Sequence, residues 1–442
     1  MLDNKGLLWL FINDPRSLTI AATIFWALGI LISVIGYYEK WKAVDSWMEG
    51  AASIAGNLTF AIVSVVWAST VSVFGNELKK ELFGKDALTM VSFFFLNSVY
   101  LAVFLGTLIS LHRKKVELDS QTSAPPEALS VASKSIIELQ QEFRRCLSDW
   151  DSISNEISTL TDDEAKDFEE NLVDAKKGCL NALLNVANAW NGRAEFIGYK
   201  ANLLNIVDSN DISKLLHSQG PISPLSHGSF TFSSDAIEKS PFFLFSDSTQ
   251  SKIERCDYLL VNEQDLSVSL NYGEREESNH FPICLPFSLT PKKNPATNKL
   301  KQPNFIGAPL ALELEQPYYV SSTTEKVKAY IESLKSNKSY ASFVDRNFEN
   351  SIHKYYEDDS AGSLISVPLN TYAYDKAERE WNRQGGKHTC ILNVYANQEH
   401  LFTNNDVVQS YILLVKPICH MLAVLISLRL KWSKMRKQVK ST

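Results

Sequence analysis

At 442 residues the chain is too long for one ordinary domain and suits two or three parts. Its net charge of −6 excludes the broad basic field that nucleic-acid binding needs, so no nucleic-acid partner is expected. Six cysteines, Cys146, Cys179, Cys256, Cys284, Cys390 and Cys419, stand apart with no Cys-x-x-Cys pair. That spacing gives neither a disulfide framework nor a metal site and points to a reducing compartment.

Three apolar runs open the chain, at about residues 17–38, 51–74 and 88–111, each free of internal charge and of membrane-spanning length. They predict three transmembrane helices within a segment 1–115, and membrane lipid as a partner. The short patch Leu7–Ile12 is too brief to span and reads as an interfacial anchor. Orientation is not set by charge. Lys40, Lys42, Arg113, Lys114 and Lys115 on one side are matched by Lys5, Arg16, Lys79, Lys80 and Lys85 on the other. The His112–Lys115 run after the third span favours a cytosolic C-terminal part, with the protein in a plasma or inner membrane. The second span is the most polar, carrying Ser53, Asn57, Ser64 and Thr70. These residues either serve helix packing or form a pore-lining face in an oligomer, and Asn57 is expected to bond across helices.

A linker, 116–128, contains Pro125-Pro126, which breaks a continuing helix. From Ala132 to Leu160 semi-apolar residues recur at spacings of four and three (Ala132, Ile136, Leu139, Phe143, Cys146, Trp150, Ile153, Ile157, Leu160). Thr161 and Glu164 form a capping box for a second helix carrying Phe168, Leu172, Cys179, Leu183 and Ala187. Segment 129–178 is therefore either a parallel stalk joining two protomers or an antiparallel hairpin within one chain.

Beyond it the chain reads as helix Cys179–Trp190 and strand Phe196–Val207, then a Ser-, Pro- and Phe-rich loop at 209–257. Tyr258–Val261 and Leu266–Tyr272 look like a hairpin pair. A second loop, 273–304, holds five prolines around a short strand, Ile283–Phe287. Gly307–Glu325 carries a short helix and a strand, and Lys326–Tyr356 is helical. Ser363–Leu369 and Thr389–Tyr395 have the β-branched content of half-buried strands. Thr403, Asn404 or Asn405 then caps a closing helix that is apolar nearly all round from Tyr411 to Leu428. Such a helix must be covered on all sides, by the sheet and, as expected here, by a second copy.

The order of these last elements, with Val367-Pro368-Leu369, the strand Ile391–Tyr395 and the turn Phe402–Asp406, resembles the C-terminal half of GAF domains. The resemblance covers about residues 170–432. It implies a multi-domain chain: a three-helix transmembrane segment, a helical linker, then an α/β (α+β) GAF-like domain at 179–432 with an antiparallel sheet and insertions at 209–257 and 273–304. It implies a small-molecule sensor with a ligand pocket under the middle segment. The cyclic-nucleotide branch of that family carries Asn-Lys, then Phe, three residues and Asp-Glu. Asn393, Phe402 and Asp406 match, but Val394 and Val407 replace the Lys and Glu, so nucleotide binding does not follow. The bilin-attachment Cys-His arrangement is absent as well.

No G-x-S-x-G, P-loop, G-x-G-x-x-G or His-Glu-x-x-His motif occurs in the sequence. No catalytic residue, metal or cofactor is assigned, and an enzyme is not expected. His353 and His388 are the histidines that could approach the pocket. The basic tail 433–442 could touch anionic lipid as readily as water. No output module follows the closing helix in this sequence, so the signal is expected to reach the membrane segment or a separate partner. The competing reading is a membrane-anchored scaffold whose GAF fold serves oligomerisation or docking.

Overall fold

The computed structural model describes residues 15–83, 89–156, 160–219, 225–227, 230–232, 235–270, 284–289, 293–294, 298–359, 361–375 and 380–441. The patch Leu7–Ile12, a small part of the insertion 209–257 and about half of the insertion 273–304 lie outside them. The chain divides into two compact units, Met1–Ser123 and Ala124–Thr442.

The first unit is apolar and helical: α1 (Pro15–Tyr38), α2 (Lys42–Ala52), α3 (Ile54–Phe83) and α4 (Met90–Thr122). Three stretches, Thr19–Tyr38, Ile54–Asn76 and Ser92–Val116, are long and apolar enough to cross a membrane. Trp26 Nε1 donates to Asn97 Oδ1 at 3.1 Å and Thr23 bonds Tyr100 at 3.0 Å, so α1 and α4 are joined by polar side chains. The expected second span beginning at residue 51 is divided. Ala51 and Ala52 end α2, an amphipathic helix placing Val44, Met48 and Ala51 on one buried face, and α3 starts only at Ile54. The expected break at Pro125-Pro126 is present, but most of the expected linker 116–128 is helical. Helix α4 continues through the basic run to Thr122, and Pro126 opens the next helix, where a missing N–H costs nothing.

In the second unit, α5 (Pro126–Glu156) and α6 (Asp162–Trp190) pack antiparallel. Cys146 lies at Asn171 and Leu139 at Gly178. Thr161 and Glu164 make the reciprocal capping bonds that start α6. The antiparallel sheet has the order β6 (Cys284–Phe287), β4 (Tyr258–Asn262), β1 (Tyr199–Asp208), β9 (Glu380–Ala396), β8 (Ser363–Asp375), β7 (Tyr318–Val320). The expected hairpin between residues 258 and 272 does not form. Strands β4 and β5 (Val268–Leu270) both pair with β1, β4 against Leu204–Asp208 and β5 against Tyr199–Ala201. A short 3-10 turn, Gln264–Leu266, lets the chain step along β1 instead of folding back on itself. The remaining elements are α7 (Ser209–Gln219), the pair β2 (Leu225–His227) and β3 (Phe230–Phe232), α8 (Asp235–Glu238), α9 (Thr249–Glu254), α10 (Ala308–Glu313), α11 (Thr323–Ser336), α12 (Arg346–Asp359) and α13 (Asn405–Ser441). The helical region 326–356 is therefore two helices.

Strand alternation gives the sheet two buried faces. On one, Ala201, Leu203, Ile365, Leu369, Cys390, Leu392 and Val394 join the core formed by α5, α6 and α13. Asn404 Oδ1 accepts from Val407 N at 3.0 Å and caps α13. The apolar circumference of α13 is covered from within the chain. Tyr411, Val415, Ile418, Leu422, Leu425 and Trp432 are buried against α6, α5 and the sheet, and Tyr411 Oη donates to the Leu183 carbonyl at 3.1 Å. Leu413 alone among its described large apolar residues is exposed, one turn before Pro417, whose missing N–H frees the Leu413 carbonyl. Length and composition would allow α13 to cross a membrane, but 67% of its apolar window is buried, against 17%, 0% and 11% for the stretches in α1, α3 and α4. On the other face Leu204, Leu285, Phe305, Val327, Ile331, Ile352 and Ile391 pack beneath α10, α11 and α12.

Candidate functional site

The polar floor of the second face is set by strand register. Asn202 on β1 pairs with Asn393 on β9, and Asn393 pairs with Ser366 on β8. Three polar side chains therefore form a row across three central strands, flanked along the strands by Leu204, Ile391 and Leu364. All three are buried, and Ser366 Oγ donates to Asn393 Oδ1 at 2.7 Å. Asn202 is 2% exposed, and its Oδ1 has no hydrogen-bond partner. A buried amide carbonyl left unmet costs about 1–3 kcal/mol.

A cavity of about 40 Å³ lies over this row. Its walls are Phe242, Tyr355, Tyr356 and Tyr395 with Leu285, Ile306, Ala308, Ala361 and Leu364. No charged side chain lines it among the described residues. The rings interlock: Phe242 lies edge-on to Tyr355 at 4.9 Å and tilted to Phe305 at 5.0 Å. Gly307 brings the start of α10 down onto the sheet. Its φ of +81° and the Leu364 side chain, 2.7 Å from where a Cβ would stand, leave room only for glycine. At about 10–15 Å³ of such space per water, the cavity holds about three waters. A larger guest requires the aromatic wall to move.

Of the residues singled out from the sequence, Asn393 lines this cavity. Phe402 and Asp406 do not. Phe402 is buried in the opposite core against Trp190, Tyr319 and Tyr411, and Asp406 is exposed in the first turn of α13. His353 is exposed on α12, and His388 sits at the irregular β8–β9 register opposite Asn370. Neither lines the cavity. Burial pushes the pKa of His388 down, with Glu315 pulling it up. Asn202, Ser366 and the aromatic wall escaped the sequence reading. An amide inside the apolar run of β1 was the available signal for Asn202, one that Asn205 on the opposite face shares, whereas Phe242 lay in what read as an insertion.

The opposite face holds a buried charge cluster. Lys176 of α6 lies 4.0 Å from Glu263, Arg429 of α13 contacts the same carboxylate, and Asn205 Nδ2 donates to it at 3.0 Å. Burial pushes Lys176 down to about 7 despite the pull of Glu263. For Glu263, burial works upward but Lys176 and Arg429 outweigh it, so its carboxyl sits below the usual range. Among the described residues, no cluster of histidine, cysteine and carboxylate side chains could hold a metal ion.

In the first unit, Ser64 and Thr70 bond back to the carbonyls of Phe60 and Val66 within α3. Ser53 Oγ donates to the Gly50 carbonyl, and Asn57 Nδ2 donates to the Ala52 carbonyl at 2.9 Å. Asn57 thus caps the α2–α3 break instead of bonding across helices, because that break leaves carbonyls of the last turn of α2 open. Compared with protein-family models, curated proteins and solved structures, the chain matches none.

Proposed function

We propose that the chain is an integral membrane receptor or effector. In this reading α1, α3 and α4 form a three-helix transmembrane segment, and the C-terminal unit is a GAF-like sensor in the cytosol. A small ligand bound over the Ser366–Asn393–Asn202 row controls the transmembrane oligomer or a partner. The observation that carries the reading is Asn202: a buried acceptor that no protein group meets, facing a cavity walled by aromatic rings. With no protein donor in reach, such a group is met only by a water or by a ligand N–H or O–H in the cavity. The uncharged lining favours a neutral ligand surface at the floor. Oligomer control is supported by α3, whose apolar window has no residue buried within its own unit and so offers its surface to lipid or a second copy.

The scaffold reading has one observation in its favour, the cavity's small volume. Thermal unfolding of the full chain in detergent, with and without a panel of nucleosides, nucleotides and small heterocycles, separates the two. A binder at a hundred times its Kd stabilises by about 2.7 kcal/mol. A shift that disappears in Asn202→Leu supports the sensor. Absence of any shift across the panel favours the scaffold.

A further inference from the structure

Helix α2 has no part in the reading above, yet it is sharply defined. It bends away from both neighbours. At its start Lys40 takes a φ of +57°, and a Cβ on Gly36 would strike Val44. At its end a Cβ on Gly56 would strike the Ala51 carbonyl oxygen, so the first turn of α3 approaches the last turn of α2 as only glycine allows. The helix is therefore a separate segment between two spans.

Its sides differ in chemistry. Val44, Met48 and Ala51 are buried in a cluster with Leu108 of α4. Lys42, Asp45, Ser46 and Glu49 share the opposite, polar side at helical spacing. Asp45 is tied to Lys115 at 2.8 Å, which holds this edge beside the basic run of α4. Trp47 flanks the buried stripe yet is 47% exposed, and Trp41 at the N-cap is 48% exposed. A water-soluble surface rarely leaves two tryptophans open on one short helix, whereas indoles with one wet end are favoured at the membrane–water boundary.

We propose that α2 is an interfacial helix lying at the level of the lipid headgroups, with Trp41 and Trp47 as its anchors. Helix α3, which follows it directly, leaves Ile54 and Leu58 of its first turns exposed. Lys40, Lys42, Arg113 and Lys114 outnumber Glu39 and Glu49 among the exposed charges at this end of the unit, and phosphate groups complement the excess. The inference rests on the membrane reading of α1, α3 and α4. It adds a depth: Trp67 lies 13 residues into α3, about 20 Å along the helix from Ile54, and belongs near the bilayer centre.

The test uses the full chain in vesicles whose lipids carry bromine near the carbonyls or near the acyl-chain ends. The difference in emission between wild type and Trp47→Phe isolates Trp47, and Trp67→Phe isolates Trp67. The expected result is greater loss of Trp47 emission with the shallow bromine and greater loss of Trp67 emission with the deep one. Trp47 unquenched by either lipid, or quenched more by the deep bromine, while Trp67 is quenched, overturns the interfacial assignment alone. Trp67 unquenched by either lipid overturns the membrane reading and this proposal with it. Where Trp47→Phe does not fold, Trp41→Phe gives the same reading.

Discussion

Replacing Asn202 with leucine separates the cost of the cavity floor from its use. In the folded chain no protein group meets the buried Asn202 carbonyl oxygen, while the unfolded chain leaves it open to bulk water. Leaving such an acceptor unmet costs about 1–3 kcal/mol. Leucine has nearly the same length and would face Phe242, Leu285 and Leu364, so its side chain is buried among apolar atoms. The substitution is expected to stabilise the unliganded protein by up to about 1–2 kcal/mol, with the net gain limited by imperfect packing of the two methyls that replace the amide and by water that meets the Asn202 carbonyl in the cavity. The assay is urea unfolding at constant pH, read as a rise in midpoint with unchanged slope. The stabilised variant should also lose any ligand response, a trade expected of a binding group and not of a structural one. A destabilisation of more than about 1 kcal/mol would show that Asn202 supports the sheet and would refute the site.

Lys176 should make stability pH-dependent. Its folded pKa of about 7 lies below the ordinary lysine value of 10.5, so between these pH values the unfolded chain holds a proton that the folded chain lacks. Stability then rises with pH across that window, by about 2 kcal/mol from pH 7 to pH 8.5 relative to Lys176→Met, and the slope from this group is halved at pH 7 and gone about one pH unit below it. Parallel urea midpoints of the two proteins over that range would exclude it. Tyr411→Phe removes the bond from α13 to the Leu183 carbonyl and should cost about 1 kcal/mol in the same assay, with an unchanged midpoint counting against that bond. Gly307→Ala combines a backbone conformation reserved for glycine with a close approach to Leu364. It should cost at least about 1–3 kcal/mol, and a variant as stable as wild type would show that α10 can lift from the sheet freely. Carbonate extraction should leave residues 1–123 in the membrane and release 124–442, and retention of the larger fragment would mean that α13 serves as a span.

Long periodic features were legible in the sequence. The three apolar runs, the four-and-three spacing after Ala132 and the Thr161–Glu164 box each belong to an element that local chemistry determines. Boundaries set by tertiary packing were less visible. The end of helix α2 was merged into the next span because Ala51 and Ala52 are as apolar as the residues after them, and only the Gly56 contact reveals the bend. The pairing of β4 and β5 along β1 depends on register between strands far apart in the chain, which periodicity does not encode. The cavity was half visible: Asn393 stood out through a motif, while Asn202 and Ser366 become a site only when three strands lie side by side. Phe402 and Asp406 stood out through the same motif, and the structure puts them on the other side of the sheet.

The central claim is that occupancy of the cavity in the C-terminal unit changes the assembly of the membrane unit. Native mass spectrometry of the full chain released from detergent, after exposure to a deproteinised cell extract, reads both quantities at once. The account predicts a small-molecule mass increment on wild type, accompanied by a change in subunit count, with both absent in Asn202→Leu. An increment that leaves the subunit count unchanged would contradict control of the oligomer, and the same increment on Asn202→Leu would place the ligand elsewhere.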